Sequence, residues 1–204
     1  MNDGRHLVPK AAMEALRIEF PFVRVEEKVR WRRLGPLRYP SRWLLMHWFV
    51  CFITLGRNRD FLTKFITTAG SVIGVPEGWK SPDWSKGHTM AHERVHLRQI
   101  EICGKVLLVG FVWRRGGFAL GSVLFSFLFL FALPFLVTFR YRFERPAYKV
   151  SIRLRLRDRG EDEARALVTH VIELLSSSAY GWAATRKRAS RDFEEFWEVL
   201  NGAG

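Results

Sequence analysis

Ala91-His92-Glu93-Arg94-Val95-His96-Leu97-Arg98-Gln99 carries two histidines four residues apart, with a glutamate directly after the first. On a helix, residues four apart share a face, so both imidazoles can offer a nitrogen to one metal ion. Glu93 then stands beside the pair, where a carboxylate can take a proton from a metal-activated water. A catalytic zinc keeps three protein ligands and one open position, so the motif requires a further ligand from elsewhere in the chain.

The surroundings support a helix here. Ser81, Asp83 and Ser85 are candidate N-caps and Gly104 is a candidate stop, which predicts a helix of four to five turns. His88, one turn before His92, extends the same face and is expected to stay exposed or to orient a neighbour. Just upstream, Phe61 to Val75 is rich in β-branched and aromatic residues and is punctuated by Gly70 and Gly74. It reads as one or two strands with a tight turn. Such a strand is either plain scaffold or a sheet edge to which an extended peptide can add.

A chain of 204 residues suits one domain with a real core. Its two cysteines, Cys51 and Cys103, are far apart, which argues against a disulfide framework and against a thiolate zinc site, and for a reducing compartment. The formal charge of +13 indicates phosphate contact, either in nucleic acid or at an anionic membrane surface, or else a merely basic exterior, and charge alone does not choose among them. No specific nucleic acid is expected. Residues Met1 to Arg30 mix charge with apolar groups and are not expected to form a signal peptide.

Ala11 to Ile18 reads as a short helix, and Val23 to Arg33 as an amphipathic strand or a solvated basic face. The apolar stretch Trp43 to Leu55 is too short to span a bilayer, which takes about twenty residues. It is expected to be a buried or an interfacial helix, with Trp43 and Trp48 able to sit at a headgroup boundary and His47 as a satisfied structural histidine.

After the metal helix, an uncharged run extends from Gly116 to Phe139, and Arg140-Tyr141-Arg142-Phe143-Glu144-Arg145-Pro146-Ala147-Tyr148 follows it. Glu144 is the best placed carboxylate for the third ligand. A single membrane crossing by Gly116–Phe139 would put His96 and Glu144 on opposite sides, so one shared ion excludes it. Two full crossings between Lys105 and Arg140 would need about forty residues plus a turn, more than are present. A re-entrant hairpin, an interfacial helix or a helix buried in protein remain, and the basic flanks favour both ends on the cytoplasmic side. Pro146 is tolerated near a helix start, which predicts Glu144 in a first turn.

His92-Glu93-x-x-His96 followed by Glu144-x-x-Ala147 resembles the gluzincin metallopeptidases, in which a glutamate on a later helix completes a zinc site. His96-x-x-Gln99 with Glu144-x-x-Ala147-Tyr148 is also similar to small metallopeptidase-like proteins of bacteria and their phages. The resemblance covers about residues 60–185. It implies Zn2+ held by His92, His96 and Glu144, with Glu93 as general base. Tyr148 stands where the family commonly has an aspartate that orients a ligand histidine, and its hydroxyl can still make such a hydrogen bond.

Lys149 to Arg159 reads as a strand or as one face of a helix. Gly160 to Leu175 and Ala189 to Leu200 read as amphipathic helices. His170 on the first of these is either a surface histidine or, with Tyr148, a donor to a developing oxyanion, as in some gluzincins.

Together these readings give a mainly helical α+β, zincin-like domain spanning 1–204. Residues 1–60 carry an apolar helix, and 61–115 hold a small sheet followed by the metal helix. A long hydrophobic helix or hairpin occupies 116–139 between the two motifs, and 140–204 supply the third ligand and C-terminal helices. The expected activity is zinc-dependent hydrolysis of a peptide or protein substrate, in the cytoplasm or at the cytoplasmic face of the membrane. The alternative is a non-catalytic or degenerate zinc-binding relative of such peptidases, associated with the membrane.

Overall fold

A computed structural model describes residues 7–34, 37–53, 62–64, 66–69, 71–107, 133–177 and 183–202. The fold is mainly helical with a small sheet, an α+β arrangement. Its contacts gather into two compact units, Met1–Phe131 and Ala132–Gly204.

In the first unit the order is α1 (Lys10–Glu19), β1 (Arg24–Glu27), β2 (Trp31–Leu34), β3 (Leu37–Pro40), α2 (Arg42–Ile53), β4 (Thr67–Ala69), β5 (Val72–Val75) and α3 (Asp83–Leu107). Within the Phe61–Val75 stretch, β4 and β5 pair antiparallel from Thr67↔Gly74 to Ala69↔Val72. β1 then joins β5 in parallel, with Val25 opposite Ile73, which makes β5 the central strand. β2 and β3 form a separate antiparallel ribbon.

Because side chains alternate along a strand, β5 presents Ile73 and Val75 to one side and Val72 and Gly74 to the other. Ile73 and Val75 pack with Met13 and Leu16 of α1, Val25 of β1, and Met90 and Leu97 of α3. Fully burying each such aliphatic side chain contributes about 2 kcal/mol. On the opposite side Val72 packs with Trp43 and Leu44 of α2. A Cβ at residue 74 would lie 2.5 Å from two ring carbons of Trp43, so only glycine admits the indole there. The indole N–H donates to Glu26 Oε1 at 2.5 Å. Trp43 is therefore a core residue with no exposed surface rather than a boundary anchor, whereas Trp48, about 140° away round the helix, is exposed.

α1 is tied to α3 by charge as well as by packing. Glu19 accepts from Arg94 Nε at 2.5 Å and from Arg98 Nη2 at 3.0 Å, and the Arg98 guanidinium holds its carboxyl below the usual carboxylate range. α3 is longer than four to five turns, at 25 residues, and runs through Gly104. A glycine ends a helix only where it turns left-handed; in an interior it costs about 1 kcal/mol, which packing can offset.

The described residues of the second unit form three helices, α4 (Leu133–Arg159), α5 (Glu161–Ser176) and α6 (Arg186–Gly202). Lys149–Arg159 is thus helix, not strand. Gly160 alone turns the chain from α4 to α5 at φ +90, a conformation that favours glycine. Glu161, Asp162 and Glu163 then occupy the first turn of α5, where they complement the helix dipole. Val168, Val171 and Leu175 of α5 are buried, as are Phe193 of α6 and Ile152 of α4. Tyr141 Oη and Arg145 Nη1 donate to the buried carboxylate of Asp192 at 2.9 and 3.0 Å. Burial and that hydrogen bond raise the Tyr141 hydroxyl well above its ordinary range.

Pro146 lies inside α4, which corrects the expectation that it marks a helix start with Glu144 in the first turn. Proline removes one intrahelical hydrogen bond and crowds the preceding turn. Tyr141, Ala147 and Ile152, buried on both sides of it, hold the helix through that defect. Of the hydrophobic insertion at 116–139, residues 116–132 lie outside the described residues and the remainder opens α4. Among the described residues no helix is long and apolar enough to cross a membrane.

Candidate metal centre

Helical periodicity sorts α3 into stripes with different tasks. Met90, Glu93, Leu97 and Ile100 follow the i, i+3, i+7 pattern of a core face, and all four are buried. His92, His96 and Gln99 form the adjoining stripe and are half-buried. Arg94 and Arg98, on the other flank, face Glu19.

The two imidazoles converge. Their Nε2 atoms are 3.2 Å apart and the ring planes meet at 71°. Two nitrogens bound at about 2.0–2.1 Å to one tetrahedral zinc stand about 3.3 Å from each other, so the pair is already spaced as metal ligands. Its protonation is also suited to that role. His96 Nδ1 lies 2.9 Å from Gln99 Oε1. An amide oxygen only accepts, so Nδ1 carries the proton and Nε2 presents its lone pair. Without a metal, His92 Nε2–H can donate into the same lone pair.

Glu93 occupies a core position between Met90 and Leu97 and is only 5% exposed. An isolated carboxylate there would be costly. Thr68 of β4 answers it, its Oγ1 donating to Glu93 Oε2 at 2.5 Å. β4 is an edge of the three-stranded sheet, so the carboxylate is held at the margin of the sheet. Thr67, which points to the other face, accepts from Lys28 Nζ at 2.7 Å. Lys28 is itself buried, and burial lowers its pKa to about 7 against an opposing pull from the charge of Glu93.

His88 is buried, 8% exposed, and packs edge-on against Trp84 at 5.5 Å, which rules out the exposed one of its two expected settings. His47 is half-buried, and burial together with Arg30 lowers its pKa. Glu144 and Tyr148 are half-buried and one turn apart on α4; His170 is exposed on α5. A cleft lined by Glu19, Phe22, Leu97 and Glu101 sits on a face of α3 away from the histidine stripe, and contains none of these groups.

Thr68 and Lys28 could not be singled out from spacing. Gln99 could, since it falls three residues after His96, although its bond to the ring is a matter of geometry. No family model matches the chain, and neither a curated protein nor a solved structure matches it significantly.

Proposed function

We propose that the chain is a zinc-dependent metallopeptidase of zincin type that works at an anionic membrane surface on the cytoplasmic side. The observation that carries this reading is the pair of imidazole nitrogens 3.2 Å apart on α3, beside the buried Glu93. His92, His96 and Glu144 form the ligand set, a combination of side chains that could hold a metal ion. Two imidazoles and one carboxylate are borderline donors suited to zinc, and they leave its fourth position open.

Bound there, zinc supplies Lewis acidity to a water and to the scissile carbonyl. Glu93 takes the proton from the attacking water as its oxygen bonds to the carbonyl carbon. It then delivers that proton to the departing amine as the C–N bond breaks. Thr68 fixes one oxygen of Glu93 and leaves the other to move the proton. Gln99 holds His96 in the tautomer that ligates. Tyr148 and His170 are assigned as donors to the oxyanion that forms on the carbonyl.

The protein should therefore bind one zinc per chain and hydrolyse an unfolded protein substrate, with activity lost to a chelator and restored by zinc. Ala at His92, His96 or Glu144 should remove the metal. Gln99→Ala should keep the site but weaken zinc affinity by about 10–100-fold, measured by competition with a chromophoric chelator. Unchanged affinity in that variant would assign Gln99 no role at the ring. Wild-type protein without stoichiometric metal would end the whole reading.

A further inference from the structure

In the first unit, α2 sets large apolar side chains into solvent beside a stretch of pure positive charge. Leu45 is 51% and Trp48 53% exposed, and they are three residues apart on one stripe of the helix. From Val29 to Ile53 the sequence holds Arg30, Arg32, Arg33, Arg38 and Arg42 and neither Asp nor Glu. The arginines lie on and around the β2–β3 ribbon that leads straight into α2. Arg30 is exposed, and its charge reaches His47 on the helix.

The exposed stripe cannot turn inward to hide. α2 is held by its other face, with Trp43 seated on Gly74 and bonded to Glu26, and Leu44 packed against Val72. Ser41 fastens the start of the helix, its backbone N–H donating to the Arg30 carbonyl at 3.0 Å. Rotating Leu45 and Trp48 into the core would pull the indole of Trp43 out of the space that only glycine leaves for it.

We propose that α2 and the β2–β3 ribbon form the surface by which this protein docks on an anionic lipid bilayer. Leu45 and Trp48 enter the headgroup boundary, and the arginines of this stretch supply attraction to lipid phosphate. An apolar stripe with a tryptophan, in a stretch that is rich in arginine and holds no acidic residue, is the composition of a helix lying in a membrane interface. A polynucleotide would use the charge and could stack on Trp48, but gains nothing from an exposed leucine. The inference rests on the membrane part of the reading above and is independent of peptide hydrolysis.

The test is sedimentation with phosphatidylcholine vesicles, with and without phosphatidylserine, using the full chain. Wild type should bind the anionic vesicles, not the neutral ones, and should be released by salt. Each arginine near such a surface is worth about fivefold in partitioning, so Arg32→Gln/Arg33→Gln/Arg38→Gln together should weaken binding by about 100-fold. Leu45→Ser/Trp48→Ser should weaken it at least about tenfold with an unchanged circular dichroism spectrum, since both sites are exposed. Arg186→Gln/Lys187→Gln, exposed on α6, should leave it nearly intact.

Full binding by both α2-region variants, or equal loss in the α6 control, overturns this surface while leaving membrane association standing. No binding of wild type to anionic vesicles overturns both. Tighter binding to single-stranded RNA, lost in the arginine variant, reassigns the surface to nucleic acid and overturns the lipid.

Discussion

Glu93→Gln should leave zinc bound at one ion per chain and reduce hydrolysis by at least about 10²–10⁴-fold. Glutamine matches glutamate in shape, and its amide oxygen can accept the Thr68 hydrogen bond that Glu93 Oε2 accepts at 2.5 Å. The packing of the position between Met90 and Leu97 is therefore kept, and so are His92 and His96 on the neighbouring stripe. What disappears is a group able to accept a proton from water and return it to an amine. His96→Ala, by contrast, should lose metal and activity together, so metal content separates the base from the ligands. Near-normal hydrolysis by Glu93→Gln would remove Glu93 from the mechanism. Loss of metal in that variant would make Glu93 part of the binding site rather than its base. A wild type that binds zinc stoichiometrically but cleaves no unfolded substrate would favour the non-catalytic alternative.

Those features of the fold that depend on local periodicity are legible in the sequence, and those that depend on distant partners are not. The spacing of His92, Glu93 and His96 on one helix follows from the 3.6-residue turn, and the β4–β5 hairpin from a β-branched run broken by glycine. The amphipathic helices α1, α5 and α6 announce themselves in the same way. The parallel pairing of β1 with β5 does not, because Val25 and Ile73 are joined only through the β2–β3 ribbon, α2 and β4. For the same reason nothing local distinguishes Trp43, seated on Gly74, from Trp48, left in solvent. Pro146 misleads for a related reason: its cost is local, while the packing of Tyr141, Ala147 and Ile152 that offsets it comes from other helices. Within the candidate site the histidine pair and Gln99 are readable from spacing, and the hydroxyl that holds Glu93 is not. Thr68 reaches Glu93 only because β4 lies beside α3.

Lys28 is the most deceptive residue of all, since a lysine in a basic stretch reads as solvated, yet this one is 1% exposed. Burial lowers its pKa to about 7, with the charge of Glu93 as the opposing influence. Free lysine titrates near 10.4, so between about pH 7 and pH 10 the unfolded chain binds a proton that the folded chain has released. Stability must then rise with pH across that window: the penalty of a buried ammonium is fully present below the folded pKa and is relieved as the pH climbs. Between pH 7 and pH 9 the gain from this one group is about 2 kcal/mol. Lys28→Met removes the titration while preserving most of the volume. The difference in unfolding free energy between wild type and Lys28→Met should therefore move by about 2 kcal/mol in favour of wild type over that interval. Urea titrations of both proteins, with chelator present so that metal binding contributes no pH dependence, measure it directly. At neutral pH the variant gains by shedding a buried charge and loses the bond to Thr67 Oγ1. That balance sets the offset between the two curves but not their divergence. Parallel curves would mean that Lys28 keeps its ordinary pKa in the fold, and that the charge of Glu93 and the Thr67 hydroxyl together fully replace the water it gave up.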